Sequence, residues 1–201
     1  MKLLILKETF ELENKIESVE KIFDYIKQAI DETEYNFSYM IVDGKEINDE
    51  FEIYLEDNIK SIDEVKVVML TVKEMIRDNL IIIDDYVDRA IPIVTSLSDK
   101  FCKEPEVEDW KQISELFEGI GFIFDTLESI DNMENLNEIV SDYKVWNEYV
   151  SEVKSLDDIL KKLNLAIEND DTDLIGSVLS GEIVPVFKKM KEKLSILVAT
   201  K

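Results

Sequence analysis

The apolar residues of this chain change their spacing once. Up to Leu70 short strand-like runs accompany one helical stripe, and from Val72 onward every apolar stripe recurs at steps of three and four. Only 5 Gly and 3 Pro punctuate 201 residues, too few for a many-stranded sandwich or barrel, so long elements with few turns are implied. The expected class is α+β and mostly α. A small sheet-and-helix domain covers residues 1–71, and an antiparallel bundle of about four helices covers 72–201.

Within the first domain, residues 2–6 form an apolar run suited to a buried strand. Phe10 and Leu12 alternate as a possible second strand, although Lys7-Glu8 between them is not turn chemistry. Ser18 reads as the N-cap of a helix whose face is Val19, Ile22, Phe23, Ile26, Ala29 and Ile30, ending near Glu34. Residues 37–42 suit a strand, and Asp43-Gly44 suits a type I′ hairpin turn, both of whose central residues need φ > 0. Lys45-Glu46-Ile47 returns, a short helix passes through Phe51, Tyr54 and Leu55, and a strand at residues 65–70 closes the unit.

This element order resembles the ubiquitin-like β-grasp. The stretch Met40-Ile41-Val42-Asp43-Gly44-Lys45-Glu46-Ile47-Asn48-Asp49 is similar to that family's central hairpin, with two apolar residues, Gly-Lys, a further apolar residue and Asp at matching spacing. The resemblance covers about a third of the chain. Thr71-Val72-Lys73 runs on into a helix where a Gly-Gly tail would end the family's domain, so the resemblance implies an interaction surface and not conjugation.

In the helical part a stripe runs from Val72 through Ile76, Leu80, Ile83 and Val87 to Phe101. Pro92 within it predicts a kink or a break into two helices. A second helix begins around Pro105 with the face Trp110, Ile113, Phe117, Ile120, Phe124, Leu127 and Ile130. Asp131 with Glu134 is spaced as a capping box for a third, reaching from Leu136 to Ile167; at ~50 Å this is long for a compact bundle and invites a bend or break. Residues 169–173 connect and cap a final helix that Pro185 divides. The run through Asp173, Leu174, Ile175, Leu179, Glu182, Ile183 and Pro185 is similar to uncharacterised bacterial α-rich proteins, some of them motility-associated, and it implies no residue's role.

Charge and chemistry bound the function. The formal net charge is −23, which repels nucleic-acid phosphates and anionic lipid, so neither is an expected partner. A nucleic-acid mimic is the alternative that such charge permits. An N-terminal apolar run of four and the short run 80–83 are below the lengths of a signal h-region and a membrane span, which gives a cytoplasmic expectation. With no His and one Cys there is no imidazole chemistry, cysteine–histidine nucleophile or Cys-based zinc site. Cys102 reads as a buried small hydrophobe, and Gly119, Gly121, Gly176 and Gly181 read as close helix approaches or bends.

Asp84-Asp85-Tyr86-Val87-Asp88 is the best enzyme-like match. It is the D-D-x-x-D string that holds Mg²⁺ and a diphosphate in isoprenoid synthases, but it lacks a second acidic cluster and has only Arg77 and Arg89 as arginines. The plainer reading pairs Asp85 with Arg89 and leaves Asp84 and Asp88 in water. No catalytic residue, cofactor or metal is expected, with Asp84, Asp85 and Asp88 as the alternative metal set. Lys188, Lys189, Lys191 and Lys193 form the one basic stretch, a candidate surface for an acidic partner or for this protein's own acids. The leading expectation is a non-enzymatic protein–protein interaction module, adaptor or chaperone-like, of unknown partner; a Mg²⁺-dependent enzyme and an acidic mimic are the alternatives.

Overall fold

The structure is a computed structural model that describes residues 1–199. The chain divides into two compact units, Met1–Met75 and Ile76–Lys201.

In the first unit, five strands form one sheet: β1 (Lys2–Ile5), β2 (Glu8–Glu11), β3 (Tyr35–Val42), β4 (Lys45–Ile47) and β5 (Glu64–Thr71), in the order β2-β1-β5-β3-β4. The central pair β1/β5 is parallel and the other pairs are antiparallel. Helices α1 (Glu17–Glu32) and α2 (Phe51–Asn58) supply the rest. Leu3, Ile5, Met40, Val42, Val65 and Val67 from the sheet share one core cluster with Val19, Ile22, Ile26 and Leu55 from the helices. Burial at alternate strand positions is what period-two patterning requires.

Local chemistry explains the turns. Asp43 and Gly44 take φ of 49° and 82°, the type I′ pattern. The Asp43 carboxylate also accepts the backbone N–H groups of Asp63 (3.0 Å) and Glu64 (2.7 Å), which ties this turn to the start of β5. The first hairpin forms despite its sequence: β1 and β2 pair across a two-residue connection in which Leu6, not a glycine, takes φ 53°. The register of Leu3 and Ile5 in the core fixes the hairpin and outweighs the strain at Leu6. Ser18 is not a cap. It lies buried within α1, whose N-cap Ile16 has no side-chain bond, and the helix ends at Glu32. Asn14, ahead of α1, ties other segments together, its side-chain amide donating to the carbonyls of Ile59 (2.8 Å) and Ile62 (2.7 Å).

The second unit is helical. α3 (Val72–Phe101) starts in the first unit's last residues with a capping box: Thr71 N–H and Oγ1 both donate to the Glu74 carboxylate at 2.8 Å, and Glu74 N–H returns to Thr71 Oγ1. These bonds hold the Glu74 carboxyl below its usual range. α3 does not break at Pro92. The proline is exposed, and the buried residues Val87, Ala90, Val94 and Leu97 continue the stripe past it.

α4 (Val107–Asp131) starts at a capping box formed by Glu106 and Asp109. The expected third helix is two. α5 (Leu136–Ile139) is a single turn, and α6 (Tyr143–Glu168) starts afresh at Asp142, whose carboxylate accepts from Lys144 and Val145 N–H at 3.0 Å. Asp131 and Glu134 form no capping box, because Asp131 ends α4 and accepts from Trp146 Nε1 at 3.3 Å.

α7 (Thr172–Val178) is capped by Asp171, as the acidic connector suggests. It runs through a π-helical turn (Leu179–Ile183) into α8 (Val184–Ala199). The division therefore precedes Pro185, which sits in the first turn of α8; a widened turn relieves the contact between a proline ring and the preceding carbonyls. The pairing is antiparallel. Along α3 and the α7–α8 arm, Ser98 meets Gly176, Asp84 meets Lys191 and Arg77 meets Val198; along α6 and the same arm, Lys162 meets Glu182 and Glu148 meets Lys193.

Candidate interaction site

The D-D-x-x-D helix face is occupied from within the chain. Lys191 Nζ lies 3.2 Å from both Asp84 Oδ2 and Asp88 Oδ1. Asp84 does not face water, since its side chain is 18% exposed and its Oδ1 is buried without a hydrogen-bond partner among the described residues. Burial works to lower the Lys191 ammonium, but hydrogen bonds to Asp88 and Asp84 outweigh it and hold the pKa above the usual lysine value. Asp85 is exposed, and Arg89 Nε donates to its backbone carbonyl (3.2 Å), so the expected side-chain pair is not the contact that forms. Among the described residues no group of three or more Asp, Glu or Cys side chains is placed to hold a metal.

The lysines are turned onto the chain's own acids. Lys189 reaches Glu152 (3.3 Å), and Lys193 reaches Glu148 (2.5 Å) and pulls that carboxyl below its usual range. α8 therefore carries cations to α3 on one side and to α6 on the other. Lys188 is exposed and makes no ion pair among the described residues. Pairs this exposed contribute ~0.2–1 kcal/mol each, so they set the register of the helices more than their stability.

Two of the glycines are close approaches. A Cβ on Gly119 would lie 2.0 Å from Tyr86 Oη, and one on Gly176 would lie 2.5 Å from Cys102 Sγ and 2.9 Å from the Ser98 carbonyl. Gly121 and Gly181 have open space, and Gly181 lies in the π-helical turn. Cys102 is exposed, contrary to expectation, because α3 ends beside it at Phe101, although its sulfur and backbone N lie against Gly176. Burial pushes the Tyr86 phenol up to about 12, and it raises Tyr149 further; the Tyr149 hydroxyl has no partner among the described residues.

A concave surface of another kind lies in the first unit. Between β2 and the C-terminal half of α1 lies a groove of about 520 Å³, floored by Ile5, Phe10, Tyr25, Ala29 and Tyr35 and rimmed by Glu8, Gln28 and Glu32. Phe10 and Tyr25 stack with ring centroids 4.1 Å apart, which builds its wall. β2 is an edge strand. Leu12 N–H donates to Met1 O, so alternation along the ladder assigns the hydrogen-bonded pairs to Leu3/Phe10 and Ile5/Glu8. The backbone groups of Thr9 and Glu11 therefore point outward from the sheet. Sequence reading missed this groove because its walls are fifteen or more residues apart and meet only through the fold.

A family model described as a domain of unknown function, DUF8042, matches residues 78–193. The chain belongs to that family. The DUF8042 region takes in the Asp84–Asp88 string, all four lysines and both close-approach glycines, so what it spans is the helical packing described above. The groove lies outside it. No curated protein and no solved structure matches the chain. Among the described residues no helix is long and apolar enough to cross a membrane.

Proposed function

We propose that the protein is a non-enzymatic interaction module, adaptor or chaperone-like, whose β-grasp-like first unit presents the binding surface. The observation that carries this is the free edge of β2 beside an apolar groove. An edge offers unpaired backbone groups to an added strand, and the groove offers pockets for alternate side chains of that strand. The strand order β2-β1-β5-β3-β4 and the Asp43-Gly44-Lys45 turn support the β-grasp reading. In the helical unit Asp84, Asp88, Lys189, Lys191 and Lys193 are all in ion pairs within the chain, which supports a scaffold role there. A cytoplasmic location goes with this reading, a lone cysteine being ordinary in a reducing compartment.

The test is a pull-down from native cell extract, read by mass spectrometry, with wild type and two groove variants. Thr9→Pro removes an outward N–H from the edge, and Ala29→Glu places a charge in the groove floor. A protein retained by wild type and lost from both variants supports the reading. Equal retention by all three overturns the groove as the binding surface.

A further inference from the structure

The other half of α1 carries a second surface of different chemistry. Between its N-terminal turns and α2 lie two depressions of about 500 and 380 Å³ that share Phe23 and Glu52. Two of their apolar side chains are exposed, Ile16 at 53% and Ile53 at 56%. Five carboxylates, Glu17, Glu20, Asp24, Glu52 and Glu56, line the larger one, and among the described residues no basic side chain does. Lys15, just before the groove, is paired with Glu13, and Lys21 of α1 is exposed and does not line it.

We infer that this groove docks a cationic amphipathic helix of a partner protein. Charge complementarity selects the sign: carboxylates on both walls with no internal cation favour lysines or arginines on the ligand. Shape selects the helix. None of the lining residues belongs to a strand, so there is no backbone edge to extend, and recognition falls to side chains. A furrow between two helices accepts the ridge of apolar residues that a helix presents at i, i+3, i+4 and i+7. Ile16, Phe23 and Ile53 would receive that ridge. Anionic membranes, the other common target of such helices, are repelled by the same carboxylates.

The inference rests on the interaction-module reading but uses residues that the β2 groove does not, so the two can fail separately. The probe is a fluorescein-labelled Leu/Lys peptide of about 18 residues, with leucines on one helical face, titrated with full-length protein at ~0.05 and ~0.15 M NaCl. Two double variants of equal net charge are compared. Glu20→Lys with Glu56→Lys removes most of the groove's negative charge, and Asp99→Lys with Glu128→Lys changes exposed acids elsewhere by the same amount. The expected result is at least tenfold weaker binding by the groove variant, less than twofold change in the remote variant, and weakening by Ile53→Asn at both salt concentrations. Circular dichroism melts check that each variant folds. Equal weakening by the two double variants, or no binding to wild type, overturns the inference. Thr9→Pro leaves this binding unchanged, so its loss of partners in the pull-down reports on the β2 groove alone.

Discussion

Gly119 and Gly121 stand two residues apart in α4 and meet opposite surroundings. The Tyr86 ring fills the place of a Cβ at Gly119, whereas Gly121 has nothing within 4 Å. Gly121→Ala should therefore stabilise by ~0.5–1 kcal/mol through helix propensity. Gly119→Ala should destabilise by ~1–3 kcal/mol through overpacking, with Tyr86→Ala relieving much of that cost. Paired thermal melts of the single and double variants check both signs. Tyr149 gives a second residue-scale test. Its buried hydroxyl has no partner among the described residues, so Tyr149→Phe removes a desolvation penalty and should raise the melting temperature. The sign of the pH dependence follows from Tyr86. Its pKa is raised to about 12 from 10, so the stability it contributes is complete below pH 10 and is lost as pH rises through 12. Alkaline unfolding between these values should be blunted in Tyr86→Phe, measured by melts across that range.

At the scale of elements, α8 decides how the helical unit closes. Removing Lys191 leaves Asp84 largely buried with neither oxygen satisfied, whereas Lys189 and Lys193 serve more exposed glutamates. Lys191→Ala should accordingly cost more than Lys189→Ala or Lys193→Ala, by ~1 kcal/mol or more, in denaturant titrations. Metal separates scaffold from enzyme at the same place. A true Mg²⁺ site at ~100 times its dissociation constant would stabilise the fold by ~2.7 kcal/mol. With Lys191 between Asp84 and Asp88, the Mg²⁺-induced shift in melting temperature should be the same in wild type and in Asp84→Asn with Asp88→Asn; a shift lost in the double variant would restore the metal reading.

Legibility in the sequence also varies by element. Asp43-Gly44 was readable because one backbone conformation demands such residues, and the helical stripes because burial imposes their period. Thr71 and Glu74 have the same spacing as Asp131 and Glu134, but only the first pair opens a helix, while Asp131 lies at a helix end. The Leu6 turn carried no signal, since tertiary register and not turn chemistry holds it. The lysine stretch was visible as charge, but its partners lie 37 to 107 residues away and only packing reveals them.

For the whole molecule, a net charge of −23 opposes compaction despite the local pairs. Exposed pairs are weak, so screening should remove more repulsion than attraction, and ~0.15 M NaCl, with its ~8 Å Debye length, should raise the melting temperature. An unchanged or lower value would mean that the pairs compensate the excess acid. The contacts of α8 also order events in time. Lys191 meets Asp84 across 107 residues and Val198 meets Arg77 across 121, whereas Lys193 meets Glu148 across only 45. Closing the longer loop costs only ~0.8 kcal/mol more than closing the shorter one. On the ribosome, however, the difference is one of sequence and not of energy. α3 and α4 can pack as soon as α4 is made, but α8 follows α7, so the part of the α3 face that meets α8 waits uncovered until then. The nascent helical unit is therefore at its most adhesive just before α8 emerges.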